Sequence, residues 1–187
     1  MGEPRLRMDP ATYLAFEREA KDKHELWSGE VYAMSGASLA HNWIVANLVR
    51  RLDERLDDTA CKALPSDMRV HIPAREAYVY PDVTIICGPP ELEGNDILLN
   101  PRTIIEVLSP STMAFDRTDK FAGYRSVRTV REILFVSQTA AQVECYVRQP
   151  SNSWLMSEYG PEDAVALEML TSPLPVAQIY AGVELAR

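Results

Sequence analysis

No run of eighteen apolar residues occurs anywhere in the chain, so nothing in it is long enough to cross a bilayer as a helix. The first residues, Met1-Gly2-Glu3-Pro4-Arg5, lack the apolar core of a secretory leader, so no membrane partner is expected and the cytoplasm is the expected compartment. Cysteine is scarce. Cys61, Cys87 and Cys145 are odd in number and widely spaced, with no Cys-x-x-Cys pair and no adjacent histidine. A zinc site or disulfide framework is therefore not expected, and the three read as small buried hydrophobes. Positive charge is short as well: 19 Lys and Arg stand against 27 Asp and Glu, a formal net charge of -8. That opposes general attraction to nucleic acid, whose affinity comes mostly from cations set against phosphates. A local basic patch could still form at Arg50, Arg51 and Arg55, or at Arg125, Arg128 and Arg131; the plainer reading of each is a solvated helix face. Internal repeats, low-complexity tracts and linker-like shifts in composition are all missing. With 187 residues, 47% of them hydrophobic, the chain is expected to fold as a single domain over 1–187.

What the chain does have is acid where acid is costly. The run Tyr80-Pro81-Asp82-Val83-Thr84-Ile85-Ile86 and the run Thr103-Ile104-Ile105-Glu106-Val107-Leu108 both read as strands covered on two faces. An ionised carboxylate there needs a cation or several hydrogen-bond donors. Two such carboxylates, Asp82 and Glu106, suggest a metal. Ten residues after Glu106, the segment from Asp116 to Tyr124 can form a helix with Asp116, Lys120 and Tyr124 stacked at i, i+4 and i+8, so one face offers an acid, a base and a phenol.

The elements around these residues follow from patterning. Asp9-Pro10 starts a helix that runs to about Ala20, with Asp9 as cap and Pro10 in the first turn. His24 to Met34 alternates around Ser28-Gly29 and reads as a hairpin whose second arm begins at Glu30. Ile44, Val45, Leu48, Val49, Leu52 and Leu56 recur at helical spacing from Ser38 onward, the strongest helix signal in the chain. Met68 to Ile72 predicts a half-exposed strand, Val79 to Cys87 a buried one and Arg102 to Leu108 a third, with Leu92 to Pro101 as a mobile loop. Glu132 to Val136 predicts a further central strand, paired with Ala141 to Val147, and edge strands follow near Trp154 to Tyr159 and around Val165 to Leu170.

Taken together, several features are similar to the Uma-type putative restriction endonuclease family of the PD-(D/E)XK nuclease superfamily. They are the Gly29-Glu30 hairpin, His41 at the start of a long helix, Ser66-Asp67 leading a strand, and Pro81-Asp82 at a strand start. The Glu106-Val107-Leu108-Ser109-Pro110-Ser111-Thr112 run and then Asp116, Lys120 and Tyr124 complete the pattern. The resemblance runs from about Asp9 to Val147. It implies an α/β, mixed-sheet, restriction-endonuclease-like αβββαβ core, here with an N-terminal helix and hairpin and extra C-terminal strands. It also implies that Asp82 is the metal-binding aspartate, Glu106 the second acidic ligand and Glu30 the acidic residue contributed from an earlier element. The superfamily's usual lysine place, two residues after Glu106, is Leu108; the family's lysine on the following helix corresponds to Lys120.

Those residues suit phosphodiester hydrolysis. Mg2+, with Mn2+ as a substitute, prefers hard oxygen ligands such as Asp82 and Glu106, and Lys120 would orient a water or neutralise developing charge. Plainer roles exist for each. Asp82 after Pro81 can be a turn residue, Lys120 with Asp116 a solvated salt bridge, Tyr124 core packing and His41 a cap. Glu25 and Asp67 rank below Glu30, since neither precedes an apolar strand as Gly29-Glu30 does. The preferred reading is a metal-dependent DNA endonuclease. The alternative is a non-catalytic nuclease-like module that binds a protein partner. A homodimer would fit a double-strand cutter, with the strands from Trp154 onward as its interface.

Overall fold

The computed structural model describes residues 6–110 and 112–185; residues 1–5, where no leader is expected, and Ser111 of the Ser109-to-Thr112 run lie outside the described residues. In chain order the elements begin with β1 (Leu6–Arg7), α1 (Pro10–Glu19), β2 (His24–Trp27), β3 (Glu30–Ala33) and α2 (Leu39–Leu56). Next come β4 (Cys61–Pro65), β5 (Arg69–Ile72), β6 (Ala77–Val79), β7 (Val83–Cys87), β8 (Leu92–Glu93), β9 (Ile97–Leu98) and β10 (Thr103–Leu108). The remainder is α3 (Met113–Phe115), a π-helical turn (Asp116–Lys120), α4 (Phe121–Ser126), β11 (Glu132–Ser137), β12 (Val143–Arg148), β13 (Trp154–Tyr159), β14 (Ala164–Val165), β15 (Leu174–Pro175) and α5 (Val176–Ile179).

Local chemistry explains the boundaries. Asp9 caps α1 by accepting from the Thr12 N–H at 3.0 Å, and Ser38 caps α2 by accepting from the His41 N–H at 3.1 Å. The β2–β3 hairpin turns through Ser28 and Gly29, both at positive φ (50° and 82°), as a two-residue turn of matching twist requires.

The main sheet has the order β13-β12-β11-β10-β7-β4, with β10 and β11 parallel and the other neighbours antiparallel. Read along the chain, α2, β4, β7, β10, the helical segment 113–126 and β11 form the αβββαβ core. One face of the sheet carries Ile105 and Val107 against Ile44, Leu48, Leu52 and Leu56 of α2. Each of those four helix side chains is fully buried, worth about 1.5–3 kcal/mol apiece. On the other face Ile104, Leu108, Ile133 and Phe135 meet Tyr124, Val127 and Val130, and Trp27, Val70 and Ile72 close the layer.

Those last three belong to a second sheet, ordered β1-β3-β2-β6-β5-β9-β8. Covered by α4, β5 is mostly buried rather than half-exposed. The segment Leu92 to Pro101, expected as a loop, contributes the short strands β8 and β9, and the fully buried Ile97 and Leu98 fasten it down. At the C-terminus only Val165 of the expected 165–170 strand is extended, in the two-residue β14 that pairs with β15, and α5 is an element without a helical signal of its own in the sequence. The absence of a disulfide also needs correcting. Cys61 and Cys87 are directly opposed on β4 and β7 and are bonded, while Cys145 is free and buried. No helix among the described residues is long and apolar enough to cross a membrane.

Candidate active site

The chain passes from the second sheet to the main sheet through Tyr80-Pro81-Asp82, between the end of β6 and the start of β7. Facing partners Ile104 with Thr84 and Ile105 with Val83 set the register of β7 against β10. One further step places Asp82 opposite Glu106. Asp82 turns its Oδ2 back to the neighbouring strand, where it accepts from the Val107 N–H at 2.7 Å and lies 3.2 Å from His41 Nε2. His41 comes from the first turn of α2, and its Nδ1 is buried without a partner among the described residues. The crossing itself is fastened by Glu25 of β2, whose Oε1 accepts the Tyr80 N–H at 2.9 Å.

Glu106 shares a face with Ile104 and Leu108 and so points under the 113–126 segment. The Phe121 N–H bonds back to the Asp116 carbonyl, an i→i+5 link that inserts one π turn into the helix and leaves Asp116, Lys120 and Tyr124 all buried on the inner side. Tyr124 donates its hydroxyl proton to Glu106 Oε1 at 2.5 Å. Lys120 Nζ lies 3.3 Å from the same oxygen, 2.9 Å from Glu25 Oε1 and 3.7 Å from Asp116 Oδ1. Between Lys120 and Tyr124, Gly123 lets α4 press onto β2: a Cβ there would stand 2.6 Å from Trp27 Cη2.

Three carboxylates, those of Glu25, Glu106 and Asp116, thus engage one ammonium, and the charge of Asp82 acts on Glu106 beside them. Burial pushes the Glu106 carboxyl up to about 8; Lys120 opposes the rise, and Asp116, Asp82 and Glu25 add to it. Burial pulls on Lys120 in the opposite sense, but Glu106, Glu25 and Asp116 outweigh it and hold the ammonium well above its ordinary value. The site is short of positive charge even with the lysine fully protonated.

All of these except Tyr124 line a cavity of about 1040 Å³, which Lys21, Lys23 and the 33–38 loop border on its outer side. Among the described residues no three His, Cys, Asp or Glu side chains stand close enough to cage an ion by themselves. Mg2+ does not require such a cage: it typically takes one or two carboxylates and completes its shell with water and substrate phosphate. Asp82 and Glu106, facing each other in a pocket with surplus negative charge, fit that demand.

Of the residues singled out from sequence, Asp82, Glu106 and Lys120 come together and Glu30 does not. On the hairpin Glu25 faces Tyr32 and Trp27 faces Glu30, so Glu30 lies on the Glu25 side of the ribbon but one two-residue repeat, about 6.6 Å, farther out. There it pairs with Arg7 at 2.7 Å and accepts from the Tyr32 hydroxyl at 2.6 Å. Glu25, ranked lower in the sequence, is the acid that reaches Lys120. A usable signal was its place in a strand with Leu26 and Trp27, all three buried. Asp67 pairs with Lys23 and is exposed.

Comparisons with known proteins bear on the family and the fold. A family model described as a putative restriction endonuclease, Uma2, matches residues 10–177. The uncharacterized protein slr1290 of Synechocystis sp. is 32% identical over 176 residues, covering 94% of this chain and 93% of that protein. A second Synechocystis protein, the uncharacterized sll1609, is 37% identical over 156 residues, with 82% and 88% covered. Among solved structures, a putative nuclease of the DUF820 group from Anabaena variabilis superposes with a TM-score of 0.76 at 16% identity, over 93% of this chain and 98% of that one. At that identity the likeness speaks for the fold.

Proposed function

The chain belongs to the Uma2 putative restriction endonuclease family, and from that membership we propose that it is a metal-dependent endonuclease that hydrolyses phosphodiester bonds of DNA in the Asp82–Glu106 cleft. The observation that carries the proposal is the pair of facing carboxylates just before β7 and on β10, beside a buried lysine in a cavity with excess negative charge. When bound, Mg2+ or Mn2+ supplies charge neutralisation for the phosphate oxygens and an acidified water.

The chain's own groups hold that arrangement ready. The Val107 N–H and His41 fix the Asp82 carboxylate, and the Tyr124 hydroxyl fixes one oxygen of Glu106. Lys120 stays protonated at any working pH, so it acts by electrostatic stabilisation and by orienting the attacking water rather than by taking a proton. Glu25 and Asp116 keep its ammonium at the inner wall of the cleft. Glu30 has no part in this scheme; Glu25 replaces it as the acid from an early element. A dimer would set two such clefts against two strands, and the edge of β13, unpaired among the described residues and with Leu155 and Met156 exposed, is its candidate interface.

One observation favours the alternative, a non-catalytic module that binds a protein partner: the ion-pair cluster closes on itself, with Lys120 already engaged by three carboxylates. Calorimetric titration with Mg2+ and Mn2+, together with plasmid nicking, separates the two. The endonuclease reading expects millimolar or tighter metal binding and nicking that Asp82→Asn abolishes while the protein stays folded. Failure of the native chain to bind either ion or to nick any DNA sinks it.

A further inference from the structure

At the end of β10 away from Glu106, a second concavity of about 340 Å³ opens, lined by Arg102, Arg128 and Arg131 with Asn100, Thr129 and Glu91. Arg102 is paired with Glu168. Arg128 and Arg131 are exposed, and among the described residues neither has a carboxylate partner. Both sit on the 127–131 loop after α4, which a further arginine fastens from beneath. Arg148 of β12 donates from Nε to the Val130 carbonyl at 2.9 Å, and from Nη2 to the carbonyls of Arg125 at 2.6 Å and Val127 at 3.1 Å. The backbone is locked on both sides, since the Arg131 N–H bonds to the Arg102 carbonyl and the Arg148 N–H to the Arg131 carbonyl, each at 2.8 Å. Arg125 and Arg148 also flank the Trp154 ring.

Gathering Arg102, Arg125, Arg128, Arg131 and Arg148 at one end of the sheet is an expense for a chain whose net charge is -8. Burial holds the Arg148 guanidinium below its ordinary value, and repulsion from Arg131 and Arg125 adds to it, a cost that no packing role of the exposed Arg128 and Arg131 offsets. An anion laid across the concavity would offset it. On an acidic protein whose cleft is itself negative, affinity for a polyphosphate has to come from a local basic surface.

We propose that the Arg102, Arg128 and Arg131 concavity is a phosphate-backbone contact for the DNA substrate, remote from the carboxylate cleft. It rests on the nuclease reading given above. Arg102, just before β10, and Glu106 within it are four residues apart, about 13 Å along extended chain, a length over which a duplex presents roughly eight phosphates. A duplex of a few turns is therefore longer than the separation between the two places. The contact is indifferent to base sequence and holds the substrate that the cleft alone would repel.

The test is fluorescence anisotropy of a labelled duplex of about 20 base pairs, titrated in EDTA over a range of salt concentrations, with wild-type protein and the doubly substituted chains R128A/R131A and R128K/R131K. Plasmid nicking and melting temperature are followed in parallel. The alanine chain is expected to bind at least tenfold more weakly at low salt. Its log-affinity against log-salt slope should be shallower by about 1.8, from about 0.9 per lost phosphate contact, and the lysine chain should recover most of that slope. An alanine chain with the wild-type slope and affinity, while the wild type binds and nicks DNA, overturns this contact and leaves the nuclease reading standing. A wild type that neither binds the duplex nor nicks plasmid overturns both.

Discussion

Replacing Lys120 by Met tests how the charges in the cleft are balanced. Methionine keeps most of the lysine stem and removes only the ammonium, so packing against the 113–126 segment is largely preserved. The side chains of Lys120, Glu25, Glu106 and Asp116 are each between 6% and 8% exposed, so solvent screening gives little relief. Taking one partner from a buried ionic cluster costs about 3–5 kcal/mol, and in a chain of this size each kcal/mol moves the melting temperature by about 2–4 °C. A fall of about 6–20 °C is expected at pH 8. The Glu106 carboxyl already stands at about 8 when folded, against 4.5 as an isolated group, and loss of the lysine raises it further. The folded chain then binds more protons than the unfolded one between those values, so stability falls as pH rises through that window. The deficit of the Lys120→Met chain should therefore be largest at and above pH 8 and small near pH 5, and Mg2+ should restore part of it. Thermal melts at both pH values, with and without Mg2+, measure all three effects. A variant that melts with the wild type at pH 8, or whose deficit is the same at pH 5, refutes the charge argument.

Three further outcomes are expected. Because Mg2+ must displace the proton that Glu106 holds below about pH 8, its affinity should rise toward tenfold per pH unit from pH 6 and level off above 8; calorimetry showing a flat profile would contradict this. Gly123→Ala should lose about 1–3 kcal/mol in urea unfolding, since its methyl would stand 2.6 Å from the buried Trp27 ring, and an unchanged midpoint would mean that the ring can move. Reducing the Cys61–Cys87 bond, which closes a 26-residue separation, should cost about 2–4 kcal/mol, seen as a lower melting temperature with reductant and absent from a chain carrying Cys61→Ala and Cys87→Ala.

How much was legible in the sequence differs element by element. The helix α2 and the strands β7 and β10 are written in local periodicity, and Asp82 and Glu106 stand out because an acid among β-branched residues breaks a rule that the neighbouring side chains obey. The meeting of Glu25 with Lys120 is not local: the two are 95 residues apart and lie on elements that touch only after the second sheet folds against α4. Glu30 has the stronger local signature, the Gly-Glu step of a hairpin, yet the register of that hairpin carries it outward to Arg7. Cys61 and Cys87 form no motif, and only the β4–β7 register makes them partners. The π turn at Asp116–Lys120 is likewise absent from the spacing, since an ordinary helix would also stack residues 116, 120 and 124.

Lys120 touches Glu25 of the second sheet and Glu106 of the main sheet with the same ammonium, so the groups of the cleft also rivet the two sheets together. A descendant that no longer needed the chemistry could not discard them one at a time, because each single loss strands a buried charge. Drift out of this arrangement demands concerted replacement by apolar residues of similar volume, which makes the constellation an evolutionary ratchet: easy to inherit, hard to dismantle, and maintained by folding even where selection on activity has lapsed.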